Sequence, residues 1–252
     1  MSRDRGARSP RAILFLAALA SAGCQRSVAS ERDDPLREPP ERLSFKSAPT
    51  VRYHMRRHLD DLRAIERMLV HGHLDEAKAL AFMLAKPEGD PGMTPAAADA
   101  RRSVEIARGL AAARSIDEAL RYEARVAETC AECHLHAQIL PVFPSLTAVP
   151  PDYATSAARM ARHQWAADRL WEGLVGAEED RWRMGLDVLA RTPAPFSPLT
   201  DAPALAESLQ QRARTALAGR ATEALADRAT AYGEILVTCA ACHSSLGKAD
   251  AR

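Results

Sequence analysis

Two stretches decide the fold: Met55–Val70, MRRHLDDLRAIERMLV, and Met160–Val175, MARHQWAADRLWEGLV. They stand 105 positions apart. In the first, Met55, His58, Leu62, Ile65 and Leu69 recur every three or four residues, which puts them on one face of an α-helix. In the second, Met160, His163, Leu170 and Leu174-Val175 fall at the offsets of Met55, His58, Ile65 and Leu69-Val70. Further on, Leu189-Ala190 answers Leu84-Ala85. A repeat with so long a period predicts two copies of one helical domain, not a solenoid of short units.

Working outward, Gly72 closes the first helix and Asp75 caps a second, which runs through Leu84-Ala85. Lys86–Met93 reads as a loop. Thr94-Pro95, a cap followed by proline in the first turn, opens a third helix. Ser115 with Glu118 three residues later is a capping box, and the fourth helix runs to about Leu135. Short loops between such helices predict antiparallel neighbours. Gln138–Asp152 holds four prolines and is a linker. The layout then repeats, with a second Pro-rich loop at Thr192–Pro203 and helices over about 204–218 and 222–243. The expected architecture is all-α: two tandem four-helix bundles, at residues 51–140 and 154–247.

Composition agrees. Of 252 residues 47% are hydrophobic and only 5% aromatic, with Ala and Leu abundant, which favours helices over strands. A formal net charge of +1 argues against nucleic-acid binding through bulk basicity. The longest apolar run, Ala12–Ala20, is about half of what a spanning helix needs, which excludes a polytopic membrane protein. Preceded by Arg3, Arg5, Arg8 and Arg11 and followed by Ser21-Ala22-Gly23-Cys24, it reads as a secretory signal. Small residues before a cysteine resemble the bacterial lipoprotein processing box, although Ser21 stands where that box prefers Leu. Residues 1–23 are then a signal peptide, Cys24 carries the lipid, and residues 24–50, with Pro35, Pro39 and Pro40, form a flexible tether.

The chemistry lies in two motifs, Cys130-Ala-Glu-Cys133-His134 and Cys239-Ala-Ala-Cys242-His243. Both are C-x-x-C-H, the attachment signature of c-type haem. Two thiols one helical turn apart can meet the two vinyl groups along one porphyrin edge, and the adjacent imidazole then lies under the iron. A thioredoxin-like pair needs a βαβ context that this pattern lacks. A four-thiolate zinc site would span more than 100 residues between its halves and leave both histidines unexplained.

Each unit resembles a class II cytochrome c, the four-helix family of cytochrome c′ and cytochrome c-556. The resemblance covers about residues 51–140 and 154–247, and its specific part is the C-x-x-C-H motif near the end of the fourth helix with a ligand candidate on the first. It implies two covalent haem c groups and their iron. Cys130 and Cys133 would carry one with His134 proximal, and Cys239 and Cys242 the other with His243 proximal. Members of the family usually hold one haem per chain and often dimerise through their bundles. Two units in one chain depart from this and favour a monomer.

Met55-x-x-His58 and Met160-x-x-His163 each place a thioether and an imidazole on one helix face. The resemblance implies Met55 and Met160 as distal ligands; His58 and His163 are the alternatives, and spacing does not separate them. Methionine opposite histidine raises the potential relative to two histidines. Arg57 and Arg162 recur as candidate propionate partners. His54, His71, His73 and His136 have no repeat partner and read as surface or loop residues, His136 being the one near a haem rim. Trp165, Trp171 and Trp182 occur only in the second unit and read as core. The expected function is electron transfer to redox partner proteins on the periplasmic side of a bacterial membrane, through a carrier and not an enzyme. The rivals are a dihaem peroxidase-like enzyme and a gas-binding protein with an open axial site.

Overall fold

Periodic Ala and Leu, few β-branched residues and polar caps produce helices throughout this computed structural model, which describes residues 48–86, 97–139, 141–193, 202–219 and 224–250, the side chains of 48–52, 97, 202 and 246–250 excepted. The helices are α1 (Ala48–Val70), α2 (Leu74–Leu84), α3 (Ala97–Ala111), α4 (Ile116–Ala137), α5 (Ser156–Val175), α6 (Glu179–Arg191), α7 (Ala202–Ala218) and α8 (Leu225–Asp250). Among the described residues there is no strand. The expected signal peptide, the expected lipid-bearing Cys24 and the expected tether up to residue 47 lie outside the described residues, as do Thr94-Pro95. The last three tether residues, 48–50, belong to α1.

The helix signals are met in detail. Ser115 Oγ accepts the Glu118 amide at 3.2 Å, and the Glu118 carboxylate accepts the Arg114 amide at 2.9 Å. This is a capping box whose return bond is shifted one residue outward. Thr155 caps α5 by accepting from the Ala158 amide at 3.2 Å. Two boundaries differ from expectation. Asp75 is not a cap: His73 occupies that position without a side-chain bond, and Asp75 lies in the first turn of α2, where a carboxylate suits the helix dipole. The last helix runs on to Asp250, so its C-x-x-C-H motif lies inside α8 and not at its end.

Packing follows the duplication. In the first quartet α1 packs on α2, α2 on α3, α3 on α4 and α4 back on α1; α5 to α8 close the same ring. The halves are not separate bodies, because α4 packs extensively along α8, and α1 reaches α8 as α5 reaches α4. All the described residues belong to one compact unit. One continuous core runs from Ile65 and Leu69 through Leu120 and Trp171 to Tyr232 and Ile235.

The contact between halves joins repeat-related positions. A Cβ on Gly233 of α8 would lie 3.5 Å from the Cβ of Ala124 on α4. These two residues stand in the same relation as Cys239 and Cys130. Arg63 of α1 pairs with Asp168 of α5, 105 positions later. Contacts between equivalent residues mark an approximate two-fold axis within the chain.

The second quartet is closed by glycine. A Cβ on Gly173 of α5 would come within 2.4 Å of the Trp182 backbone nitrogen on α6, and one on Gly185 within 2.7 Å of the Ala166 carbonyl. Trp182 is fully buried beneath that contact. Gly173→Ala must push α5 from α6 and is expected to lower stability by about 1–3 kcal/mol, the usual cost of overpacking. Gly233→Ala meets only ordinary contacts and is expected to be neutral or mildly stabilising. Denaturant midpoints of the two variants check the contrast, and equal midpoints would contradict it.

Candidate functional site

Each C-x-x-C-H motif lines its own cavity, and each cavity brings in the Met/His pair of the same half. The first, about 420 Å³, is walled by Cys130, Cys133 and His134 of α4 and by Met55 and His58 of α1. Leu84, Val104 and Val126 add apolar surface. The second, about 380 Å³, is walled by Cys239, Cys242 and His243 of α8 and by Met160 and His163 of α5. Leu205 and Leu209 of α7 line it as well. Both volumes fall within the roughly 300–1,000 Å³ of small-molecule and cofactor pockets. Helical periodicity explains the convergence: each Met/His pair sits a few turns above the buried leucines of its helix, so it faces the same interior.

The motif side chains are held uncharged. Burial pushes the Cys130 thiol up to about 12, with the Cys133 and Glu123 charges adding to the rise. Burial pushes Cys133 up to about 11 and Cys239 to about 12, and raises Cys242 too. These are protonated thiols in apolar walls, not poised nucleophiles. All four cysteines are free of disulfides. They divide between two cavities, and among the described residues no three His, Cys, Asp or Glu side chains converge on a metal position. The four-thiolate zinc reading therefore has no assembled ligand set. Burial also lowers the pKa of His134, His163 and His243, favouring the neutral imidazole that binds metal.

Second contacts orient these rings. His134 Nδ1 lies 3.2 Å from the Val175 carbonyl, so the proton sits on Nδ1 and leaves Nε2 as the lone-pair nitrogen. That carbonyl belongs to α5, in the other half. The Thr192 backbone accepts a hydrogen bond from the His163 ring, whose Nε2 is buried without a hydrogen-bond partner. Thr192 is itself fixed, its carbonyl accepting from Gln210 at 2.8 Å and its hydroxyl donating to the Val188 carbonyl at 2.7 Å.

Arg57 and Arg162 stand outside both walls. Arg57 is half-exposed and 3.9 Å from Asp61. Arg162 donates to the Pro150 carbonyl at 2.7 Å and to Thr192 Oγ1 at 3.2 Å, tying the linker to α5. The walls hold other cations: Lys86, Arg101 and Arg108 at the first cavity and Arg67 at the second.

Two histidines without repeat partners reach the cavities. His54 lines the first, its ring centroid 4.0 Å from that of His58. His71, from the end of α1, lines the second, with its ring edge-on to His243 at 4.6 Å. Both depart from the surface-or-loop expectation; for His54 the signal that could have found it is its place one turn before His58 on the same helix. His71 carried no such signal, because it serves a motif 172 positions away in the other half. His136 is exposed and pairs with Asp99 at 2.7 Å, which raises its pKa; His73 lies on the surface.

Between the halves lies a buried polar cluster. Arg63 donates to both oxygens of Glu66, at 3.0 and 2.9 Å, and the Tyr232 hydroxyl donates to Glu66 at 2.7 Å. Glu123 is fully buried, and neither of its oxygens has a hydrogen-bond partner.

No protein-family model, curated protein or solved structure matches this chain.

Burial, reinforced by the Glu66 charge, holds the Glu123 carboxyl well above the usual carboxylate range. The native state thus keeps a proton that the unfolded chain releases near pH 4, and stability falls as pH rises through that window. Glu123→Gln removes the fall. The variant's unfolding free energy is expected to gain on the wild type steadily from about pH 4 towards neutrality. A pH-independent difference between the two would contradict a protonated Glu123.

Proposed function

We propose that this chain is an exported, dihaem c-type cytochrome that carries electrons, built from two class-II-like four-helix bundles. One observation carries the reading: each C-x-x-C-H motif lines an apolar cavity together with the Met/His pair of its own half. The residues fit the group. Two protonated thiols one turn apart would hold the group by adding their S–H across its two vinyl double bonds, which needs no oxidant. His134 and His243, whose pKa values burial lowers, would supply nitrogens to its iron. His58 or Met55 in one cavity, and His163 or Met160 in the other, would supply a second ligand to the iron. Lys86, Arg101 and Arg108 at the first cavity and Arg67 at the second offer cationic partners for carboxylates. When bound, haem c supplies a ferric/ferrous couple whose potential the axial ligands and burial set.

Because a soft and a hard donor face both cavities, neither site is built around an open axial position. This favours a carrier over the peroxidase-like and gas-binding alternatives. The basic, apolar and small-residue segments ending at Cys24 support export and lipid anchoring, which would hold the carrier at a periplasmic membrane surface beside its redox partners.

Expression in a host able to attach haem c, followed by intact mass measurement, tests this reading. The mature protein is expected to weigh two macrocycles more than its polypeptide. Cys130→Ala with Cys133→Ala removes one increment, Cys239→Ala with Cys242→Ala removes the other, and all four together leave colourless protein. A colourless wild type refutes the proposal.

A further inference from the structure

We propose that each half of the chain holds the proximal histidine of the other half, by different chemistry, so that the two haem sites are inequivalent and His71 is the positioning residue of the second. This rests on the reading above. The last helical residues of α1 and α5, Val70 and Val175, are repeat equivalents, and both line the cavity of the opposite half. At Val175 the carbonyl accepts from His134 Nδ1 at 3.2 Å. Among the described residues His243 makes no such bond to Val70. The next residue acts instead: the His71 ring makes a T-shaped contact with the His243 ring, with centroids 4.6 Å apart and planes at 87°.

The first half has no room for a copy of this device. The residue equivalent to His71 is Gly176, where a Cβ would meet Phe143 at 2.7 Å and the Glu172 carbonyl at 2.9 Å. Phe143, from the linker, occupies the space that a histidine side chain would need. The duplication is therefore broken at one position by steric exclusion on one side and an aromatic contact on the other.

The two contacts differ in kind. A carbonyl on Nδ1–H increases the electron-donating power of the imidazole, which favours the ferric state and lowers the potential. An edge-to-face ring contact fixes the plane of the imidazole without that donation. The first site is therefore the lower in potential.

The test uses the purified holoprotein, its content of two haems first confirmed by mass. A spectroelectrochemical titration is expected to resolve two midpoints. His71→Ala should shift the higher midpoint and leave the lower in place. His71→Phe, which keeps an edge-on ring, should restore the wild-type value. One midpoint for both sites, movement of the lower midpoint, or an unchanged higher midpoint in His71→Ala each overturns the inference while the cytochrome reading stands. A His71→Phe protein that behaves as His71→Ala overturns the ring-contact mechanism. Protein without attached macrocycles overturns both readings.

Discussion

The packing of α4 along α8 is the constraint on which the rest depends. Ala124 and Gly233 are small enough for the two helices to approach closely, and each helix carries a C-x-x-C-H motif one to two turns further on. That approach turns two closed four-helix rings into one body with a shared core. It also decides what else can reach the motifs. With α4 against α8, the C-terminal ends of α1 and α5 fall on the cavities of opposite halves, which is how Val175 meets His134 and His71 meets His243.

The centre of this contact is polar. Glu66 and Trp171 are repeat equivalents, as are Glu123 and Tyr232. On one side of the axis the acid comes from α1 and its donor from α8, and Tyr232 bonds Glu66. On the other side the acid comes from α4 and the indole from α5. Glu123 and Trp171 Nε1 are both buried there without hydrogen-bond partners. The same two roles are filled with exchanged helices, and only one exchange closes into a bond. Arg63 stabilises the closed side by pairing with Glu66 and Asp168 while lying over the Trp171 ring, 5.1 Å from its centroid. A lone carboxylate at Glu123 would be costly, which is why its proton stays on.

What the sequence announced was what local spacing controls. Apolar residues at three- and four-residue steps marked α1 and α5, Ser115 and Glu118 marked the start of α4, and the 105-residue offset matched the two Met/His stretches to each other. The indole-bearing side chains fell in the core because their area is large and their neighbours apolar. The failures share a cause. Asp75 looked like a cap from composition, but the turn at Gly72, with φ +90, starts α2 two residues earlier, with His73 at the cap. Arg57 and Arg162 recurred at matched positions, yet recurrence says nothing of direction, and both side chains are spent on neighbours outside the walls. His71 had no repeat partner and so no periodic signal. Its role exists only once two distant segments meet, and single-sequence periodicity carries no information about that meeting.

Covalent duplication also changes what symmetry permits. A homodimer with a two-fold axis must give both subunits the same contacts, since any residue that favours one site appears at the other. Two halves in one chain escape that rule. Near the axis the structure keeps the pairings that symmetry makes self-consistent, Ala124 with Gly233 and Arg63 with Asp168. At the ends of α1 and α5 it departs from them, with His71 on one side and Gly176 beneath Phe143 on the other. The departures cluster where the cavities lie, and the conserved geometry clusters where the halves are joined. Joining two copies holds the cavities in fixed relation, while each cavity's surroundings are free to diverge. The contact on the motif histidine is where that divergence meets the proposed chemistry.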